Sequence, residues 1–234
     1  MINVDRIYQR VLTLANKEQR GYITPQEFNI LANQAQMDIF EQYFYDLNQF
    51  LRTPGNSTTH ADMVDVLEEK ISFFEVTEGL QGPIGGSNVA NLNTLPRFYR
   101  LSNVRRNNLI LESVSRKDFR MFPNSPLATP TATRPIYMVD TTNNTIQVAG
   151  RTFATLDIDY IQSPLLVSWT YVVVGGKALY NENATDAQNF ELHPSEETEL
   201  VLKILTLAGF TLKDPNLLQI AAGEDVKNTQ QEKQ

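Results

Sequence analysis

Apolar positions recur every three to four residues up to about Phe74 and again from about Glu191, whereas residues 95–174 carry short runs rich in β-branched and aromatic side chains. The first spacing is that of helices with a face against a core, the second that of strands bounded by turn formers. The chain therefore predicts an α+β protein: a helical bundle built from the N- and C-terminal segments, with a central antiparallel β-sheet or barrel domain. Its predicted parts are an N-terminal helical segment over 1–78, a flexible loop over 79–94, a β domain over 95–175, a C-terminal helical segment over 176–222 that packs with the first, and a polar tail over 223–234.

Local punctuation fixes the helices. Val4, Ile7, Val11, Leu14 and Ala15 form one stripe behind the cap candidate Asn3, and this helix stops before Gly21. Thr24, Pro25, Gln26 and Glu27 then make a capping box with proline at the first helical position. The helix that follows runs to Phe50 or Leu51, a rod of roughly 40 Å at 1.5 Å per residue. Phe28, Leu31, Ala32, Ala35, Ile39, Tyr43, Leu47 and Phe50 line one face, and Met37, Phe40, Phe44 and Leu51 widen it into a second. A second apolar face implies burial against more than one neighbour: either a private bundle, or another subunit that meets Met37, Phe40, Phe44 and Leu51. A polar loop over 53–59 precedes a third helical pattern through Met63, Val66, Leu67 and Ile71, and residues 71–76 read equally as strand. Near the end, Pro194, Ser195 and the acidic Glu196, Glu197 and Glu199 mark a helix start, Val201, Ile204, Leu205 and Ala208 its buried stripe, and Gly209 its C-cap. Asp214 and Pro215 open a further short helix.

Between these blocks, residues 98–104, 108–114, 134–140, 144–150, 155–161 and 168–174 read as strands. Thr142, Asn143 and Asn144 supply the turn chemistry of a hairpin. Residues 121–134 hold three prolines without strand alternation and read as an excursion from the sheet.

Composition narrows the chemistry. None of the 234 residues is cysteine, which excludes disulfides, thiolate catalysis and zinc–thiolate or iron–sulfur sites. No apolar run is long enough to cross a bilayer and the first residues lack the apolar block of a signal peptide, so neither secretion nor a membrane span is expected. The net charge of −7 is uneven: residues 97–151 carry +6, leaving −13 for the flanks. That asymmetry either steers like subunits together or marks an ordinary solvated sheet face. Arg105 and Arg106 in a strand turn, with Arg116, Lys117 and Arg120 after the next strand, could gather cations at one end of the sheet. They are the candidate contacts to a DNA backbone or to another subunit, without the aromatic partners that read bases.

Reactive motifs fail on inspection. Residues 16–27 have the outline of a calcium loop, with Gly21, Ile23 and Glu27 in place, but Asn16, Glu18 and Arg20 spoil the ligand positions; a plain interhelical turn is the expectation. Gly175, Gly176 and Lys177 lack the rest of a phosphate loop and read as a turn. His60 and His193 flank helix starts, where they cap or sit at the surface. Asp157 and Asp159 share one strand face and could form an acid–base pair, though alternation alone puts polar residues on the solvent side. The Asn183 sequon is silent without secretion. No catalytic residue, cofactor or metal is expected.

Residues 15–50 (ANKEQRGYITPQEFNILANQAQMDIFEQYFYDLNQF), LPRFYRL, SPLATPTATRPIY, DYIQSPLLVSWTY and FELHPSEETELVLKIL followed by KDP together resemble the ring or adaptor proteins between portal and tail of short-tailed, crAss-like bacteriophages. The resemblance spans most of the chain. It implies a non-enzymatic structural protein of the virion neck, made in the host cytoplasm and closed as a homo-oligomeric ring, commonly of twelve copies, around the DNA channel. The implied partners are the portal protein, other connector and tail proteins and, through non-specific contact, DNA; no membrane is involved. The competing expectation is a tail-associated binding module whose β domain recognises a host surface glycan or receptor through Trp169, Tyr171 and Tyr137.

Overall fold

The computed structural model describes residues 1–17, 23–52, 58–81, 88–106, 109–150 and 153–211. In chain order the elements are α1 (Val4–Lys17), α2 (Pro25–Arg52), α3 (Thr58–Ser72), β1 (Glu75–Gln81), β2 (Val89–Asn91), β3 (Phe98–Arg106), β4 (Leu109–Ile110), β5 (Glu112–Ser113), α4 (Arg116–Met121), β6 (Ile136–Asp140), β7 (Thr145–Ala149), β8 (Thr155–Gln162), β9 (Tyr171–Val174), β10 (Lys177–Tyr180) and α5 (Glu197–Thr211). The protein is mixed α+β and divides into two compact units: Met1–Phe73 with the chain from Pro164 onward, and Phe74–Ser163.

The first unit is helical because its caps and stripes agree. Asn3 Oδ1 accepts the amide of Arg6 at 3.0 Å at the start of α1. Thr24 and Glu27 close the box at the start of α2: the Thr24 amide donates to Glu27 Oε2 at 2.9 Å and the Glu27 amide to Thr24 Oγ1 at 3.3 Å. The Thr24 backbone, then its hydroxyl, holds the Glu27 carboxyl below its ordinary pKa. Val4, Ile7, Val11, Phe28, Ala32, Ala35, Ile39, Leu67, Ile71, Leu200, Ile204 and Ala208 are buried, and α2 packs against both α3 and α5 while α1 packs against α5.

Two expectations for these helices change. Leu14, read as part of the buried stripe of α1, is 43% exposed. Gly209 does not take positive φ, so it is no cap, and α5 runs through it to Thr211 because the apolar run continues past the glycine. Residues 18–22 of the loop over 16–27 and 53–57 of the polar loop over 53–59, and the whole of the short helix after Asp214 and of the polar tail, fall outside the described residues.

The second unit holds two four-stranded sheets, ordered β1-β8-β3-β4 and β2-β7-β6-β5, around one apolar cluster that includes Leu80, Leu92, Val104, Leu111, Tyr137, Ile146, Leu156, Ile158 and Tyr160. The described strands close no barrel, and the sheets are not purely antiparallel, since β5 runs parallel to β6. The run expected as one strand over 108–114 splits: its first part pairs with β3, Leu111 turns into the core with its amide on Val104 O at 2.9 Å, and β5 joins the other sheet. A parallel pair needs a long crossover, often helical, and residues 114–135 provide it. Ser115 caps α4 by accepting the Asp118 amide at 3.2 Å, α4 packs on β6, and the proline-rich excursion brings the chain back. Residues 79–94, expected as a flexible loop, carry the end of β1, all of β2 and a 3-10 turn at Leu92–Thr94. Leu80, Ala90 and Leu92 hold the described parts of this stretch to the core, and residues 82–87 lie outside the described residues. The β domain expected over 95–175 thus begins earlier, at Phe74, and ends at Ser163, because β1 pairs along the whole of β8 and residues from Pro164 belong to the helical unit.

Candidate interaction surface

Within the helical unit, α2 grips an extended strap over 165–169 through side-chain amides. Asn33 donates to Val167 O at 2.9 Å and accepts the Val167 amide at 2.7 Å. Asn29 repeats the pattern on Trp169, donating at 3.3 Å and accepting at 2.8 Å. Gln36 donates to Leu165 O at 2.8 Å and accepts the Glu191 amide at 3.1 Å. The match is geometric: two residues of extended chain advance roughly 6.7 Å, one helical step of four residues about 6 Å. A stripe of amides at such spacing can stand in for a neighbouring strand, satisfying backbone groups that would otherwise be buried unpaired.

The strap ends on Trp169, whose buried indole donates to Asp5 Oδ1 at 2.9 Å and lies 4.3 Å from the Tyr8 ring. Tyr171 and Tyr180, opposite each other in the β9–β10 hairpin, each stack on Trp169 at 5.8 Å. Burial, then Glu182 and Asp5, raise the Tyr180 hydroxyl above its ordinary pKa. Gly175 and Gly176 turn the hairpin with φ of 59° and 77°, the pair of positive angles a two-residue type I′ turn demands. Side chains alternate, so Tyr171, Val173, Ala178 and Tyr180 share one face and Val172, Val174, Lys177 and Leu179 the other. Val172, Val173, Val174 and Leu179 are 46, 67, 58 and 50% exposed. Among the described strands β9 pairs only with β10, so this two-stranded ribbon offers open edges and apolar side chains together.

A second apolar feature lies between α1 and α5. Arg6 and Arg10 of α1 both hold Glu197 of α5, at 2.9 and 2.6 Å. Beside them Thr13, Leu14, Thr198, Val201 and Leu202 line a largely apolar groove of about 430 Å³. Elsewhere in the unit, Lys70 pairs with the buried Glu196 at 2.7 Å and lies 5.6 Å from the Tyr43 ring centre. Burial first, and then Glu196 and Glu199, push the Tyr43 hydroxyl far above its ordinary pKa. Ser195 Oγ contacts His193 Nδ1 at 2.8 Å, an arrangement superficially like a nucleophile and base, but His193 Nδ1 also accepts the Ser195 amide at 3.3 Å and serves as the N-cap of the turn before α5.

The structure divides the cations expected at one end of a sheet between two elements. Arg105 and Arg106 lie on β3 in one sheet, while Arg116, Lys117 and Arg120 lie on α4, which packs against the other. Arg105 clamps Asp159 through Nε at 2.7 Å, and Thr77 adds a hydrogen bond of 2.7 Å to the same carboxylate. Burial would raise the Asp159 pKa, but Arg105 and Thr77 outweigh it and hold it low, unlike a poised general acid. Asp157 and Asp159 alternate with the buried Leu156, Ile158 and Tyr160, as the polar face of a strand does. Arg116 meets Asp140 at 2.8 Å, leaving Lys117 and Arg120 exposed without an ion-pair partner among the described residues.

On the second face of α2, Phe40 is fully buried and Met37 and Phe44 are half-buried; the Leu51 side chain lies outside the description. Trp169 and Tyr137 are both buried, so of the three rings expected to line a sugar site only Tyr171 presents a sizeable exposed surface. Among the described residues no cluster of His, Asp or Glu has the arrangement to hold a metal ion, and no helix is long and apolar enough to cross a membrane. Sequence reading passed over Asn29, Asn33 and Gln36, whose only signal was a polar stripe on an otherwise apolar rod. It placed a turn at Gly175 and Gly176 but no returning strand, although paired glycines between β-formers signal a hairpin. No protein-family model and no curated protein matches the chain.

Proposed function

We propose that this chain is a non-enzymatic structural subunit that assembles with copies of itself into a closed ring, the portal-proximal ring of a head–tail connector in short-tailed, crAss-like bacteriophages, where it extends the DNA channel. The observation that carries self-assembly is the exposed apolar β9–β10 hairpin, anchored at its root by Trp169 and joined by no further strand among the described residues. A lone two-stranded ribbon is marginal in water and gains stability from a partner surface. The placement in a virion neck rests on the resemblance of the quoted stretches. On this reading the partners are the portal and other connector or tail proteins. Lys117 and Arg120 supply backbone contacts to DNA, which would weaken with salt. Mass measurement of the native assembly tests it: twelve copies of a 26.5 kDa chain give about 318 kDa. A chain that stays monomeric at high concentration and does not join portal assemblies would defeat the proposal.

A further inference from the structure

The helical unit carries an exposed apolar ribbon and an apolar concavity on different elements, the β9–β10 hairpin and the α1–α5 groove. Such a pair of unlike patches on one subunit makes head-to-tail contacts, which close into rings when the rotation permits. Resting on the self-assembly reading above, we propose that the hairpin of one copy lies in the α1–α5 groove of the next, with Val172, Val174 and Leu179 against Leu14, Val201 and Leu202.

Three observations select this occupant. The first is parity. Trp169 takes up Tyr171 and Tyr180 at the root of one hairpin face, where Val173 is the one large exposed aliphatic, whereas Val172, Val174 and Leu179 make the opposite face the broader exposed apolar surface. The second is charge. Among the described residues Arg6 and Arg10 pair with one carboxylate, that of Glu197, beside the groove, an excess of positive charge. Just beyond β10, Glu182 and Asp186 are exposed with no ion-pair partner among the described residues. A hairpin laid in the groove would bring its acidic root toward those arginines, and opposite charges at a rim favour register and encounter. The third is the groove itself. It measures about 430 Å³ and its lining is largely apolar, so the aliphatic face of a ribbon laid there removes apolar surface from water. Leu14 makes the same point from the sequence side: it continues the buried stripe of α1 yet remains open to solvent in the single chain.

The absence of cysteine makes the test clean, because engineered thiols are then the only ones present. A Val174→Cys protein mixed with a Leu14→Cys protein, oxidised mildly, should give a mixed disulfide dimer. The double variant should give a ladder of covalent oligomers. Val173→Cys, one residue away on the opposite hairpin face, should cross-link to Leu14→Cys roughly tenfold less. All three sites are solvent-exposed, and melting curves matching the parent confirm that the variants fold. Equal cross-linking from Val173→Cys, disulfides only between two Val174→Cys chains, or purely intramolecular bonding in the double variant would overturn the proposal. So would a Leu14→Cys thiol that resists a thiol reagent in the dissociated chain, since the chain's own residues 212–234 would then cover the groove. If the parent sediments as a ring while no mixed disulfide forms, the hairpin–groove contact fails and the ring stands. If the parent is monomeric, both fail.

Discussion

Asn33 gives both a donor and an acceptor to the backbone of Val167. Asn33→Ala removes both and leaves a partly buried N–H and C=O unpaired, so it should cost about 2 kcal/mol, read from the urea midpoint at unchanged slope. Gly150 is as constrained by sterics as Asn33 is by hydrogen bonding. It sits at φ +97°, and an added Cβ would lie 2.8 Å from the Thr131 carbonyl oxygen, a backbone atom that cannot swing away. Gly150→Ala should therefore destabilise by about 3 kcal/mol, whereas Gly79→Ala, with nothing within 4 Å of the new carbon, should be nearly neutral. Asp159 adds a pH signature. Its folded pKa is depressed despite burial, chiefly by Arg105 and Thr77, so its contribution is present above the unfolded carboxylate value of about 3.9 and is lost as pH falls through the folded value. Asp159→Asn should be less stable than the parent at pH 7, and the gap should narrow on acidification to pH 3; an unchanged gap would break the link between this ion pair and acid stability.

At the level of elements, what was legible in the sequence was what is local. Thr24, Pro25 and Glu27 announce the start of α2 within four residues, and Thr24→Ala should cost about 1 kcal/mol by loss of the cap. The β6–β7 hairpin is equally local: Asp140 accepts the Thr142 amide at 3.2 Å and the Asn143 side chain at 3.0 Å, while Asn144 takes φ 48°. The strap was invisible for the opposite reason. Asn33 and Val167 are 134 residues apart, and neither carries a local mark of the other. The parallel partnership of β5 and β6 was hidden in the same way, since two residues of pairing leave no period to detect. The proline-rich excursion was recognised as non-strand, but its role as a crossover depends on where both ends land. Of the candidate surface, the turn at Gly175 could be read and the aromatic root of Trp169, Tyr171 and Tyr180 could not. Alternating aromatics on a strand usually mean core, and here only Trp169 is fully core.

At the scale of the whole molecule, the charge pattern and the hairpin bear on association more than on folding. With +6 over residues 97–151 and −13 on the flanks, encounter between copies should be faster at low ionic strength and slow as salt shortens the screening length to about 10 Å at 0.1 M, as stopped-flow light scattering would measure. Changing Val172, Val174 and Leu179 to Thr should leave the melting of the isolated chain within about 0.5 kcal/mol per site, because these side chains are already exposed, yet abolish the assembled mass. A coincident collapse of monomer stability would mean that the ribbon supports its own unit instead of reaching for another.

The amide grip on residues 165–169 has a dynamic corollary. The main-chain hydrogens of Val167 and Trp169 are tied to Asn33 and Asn29, so they can meet deuterated solvent only when the strap lifts from α2 or the helix itself loosens. They should therefore label slowly, in step with the interior of α2, even though the strap lies outside the sheets of the described residues. The hairpin amides a few positions later should label within seconds. That boundary, sharp at Trp169, would mark where rigid scaffold gives way to a probe held out for something else to catch.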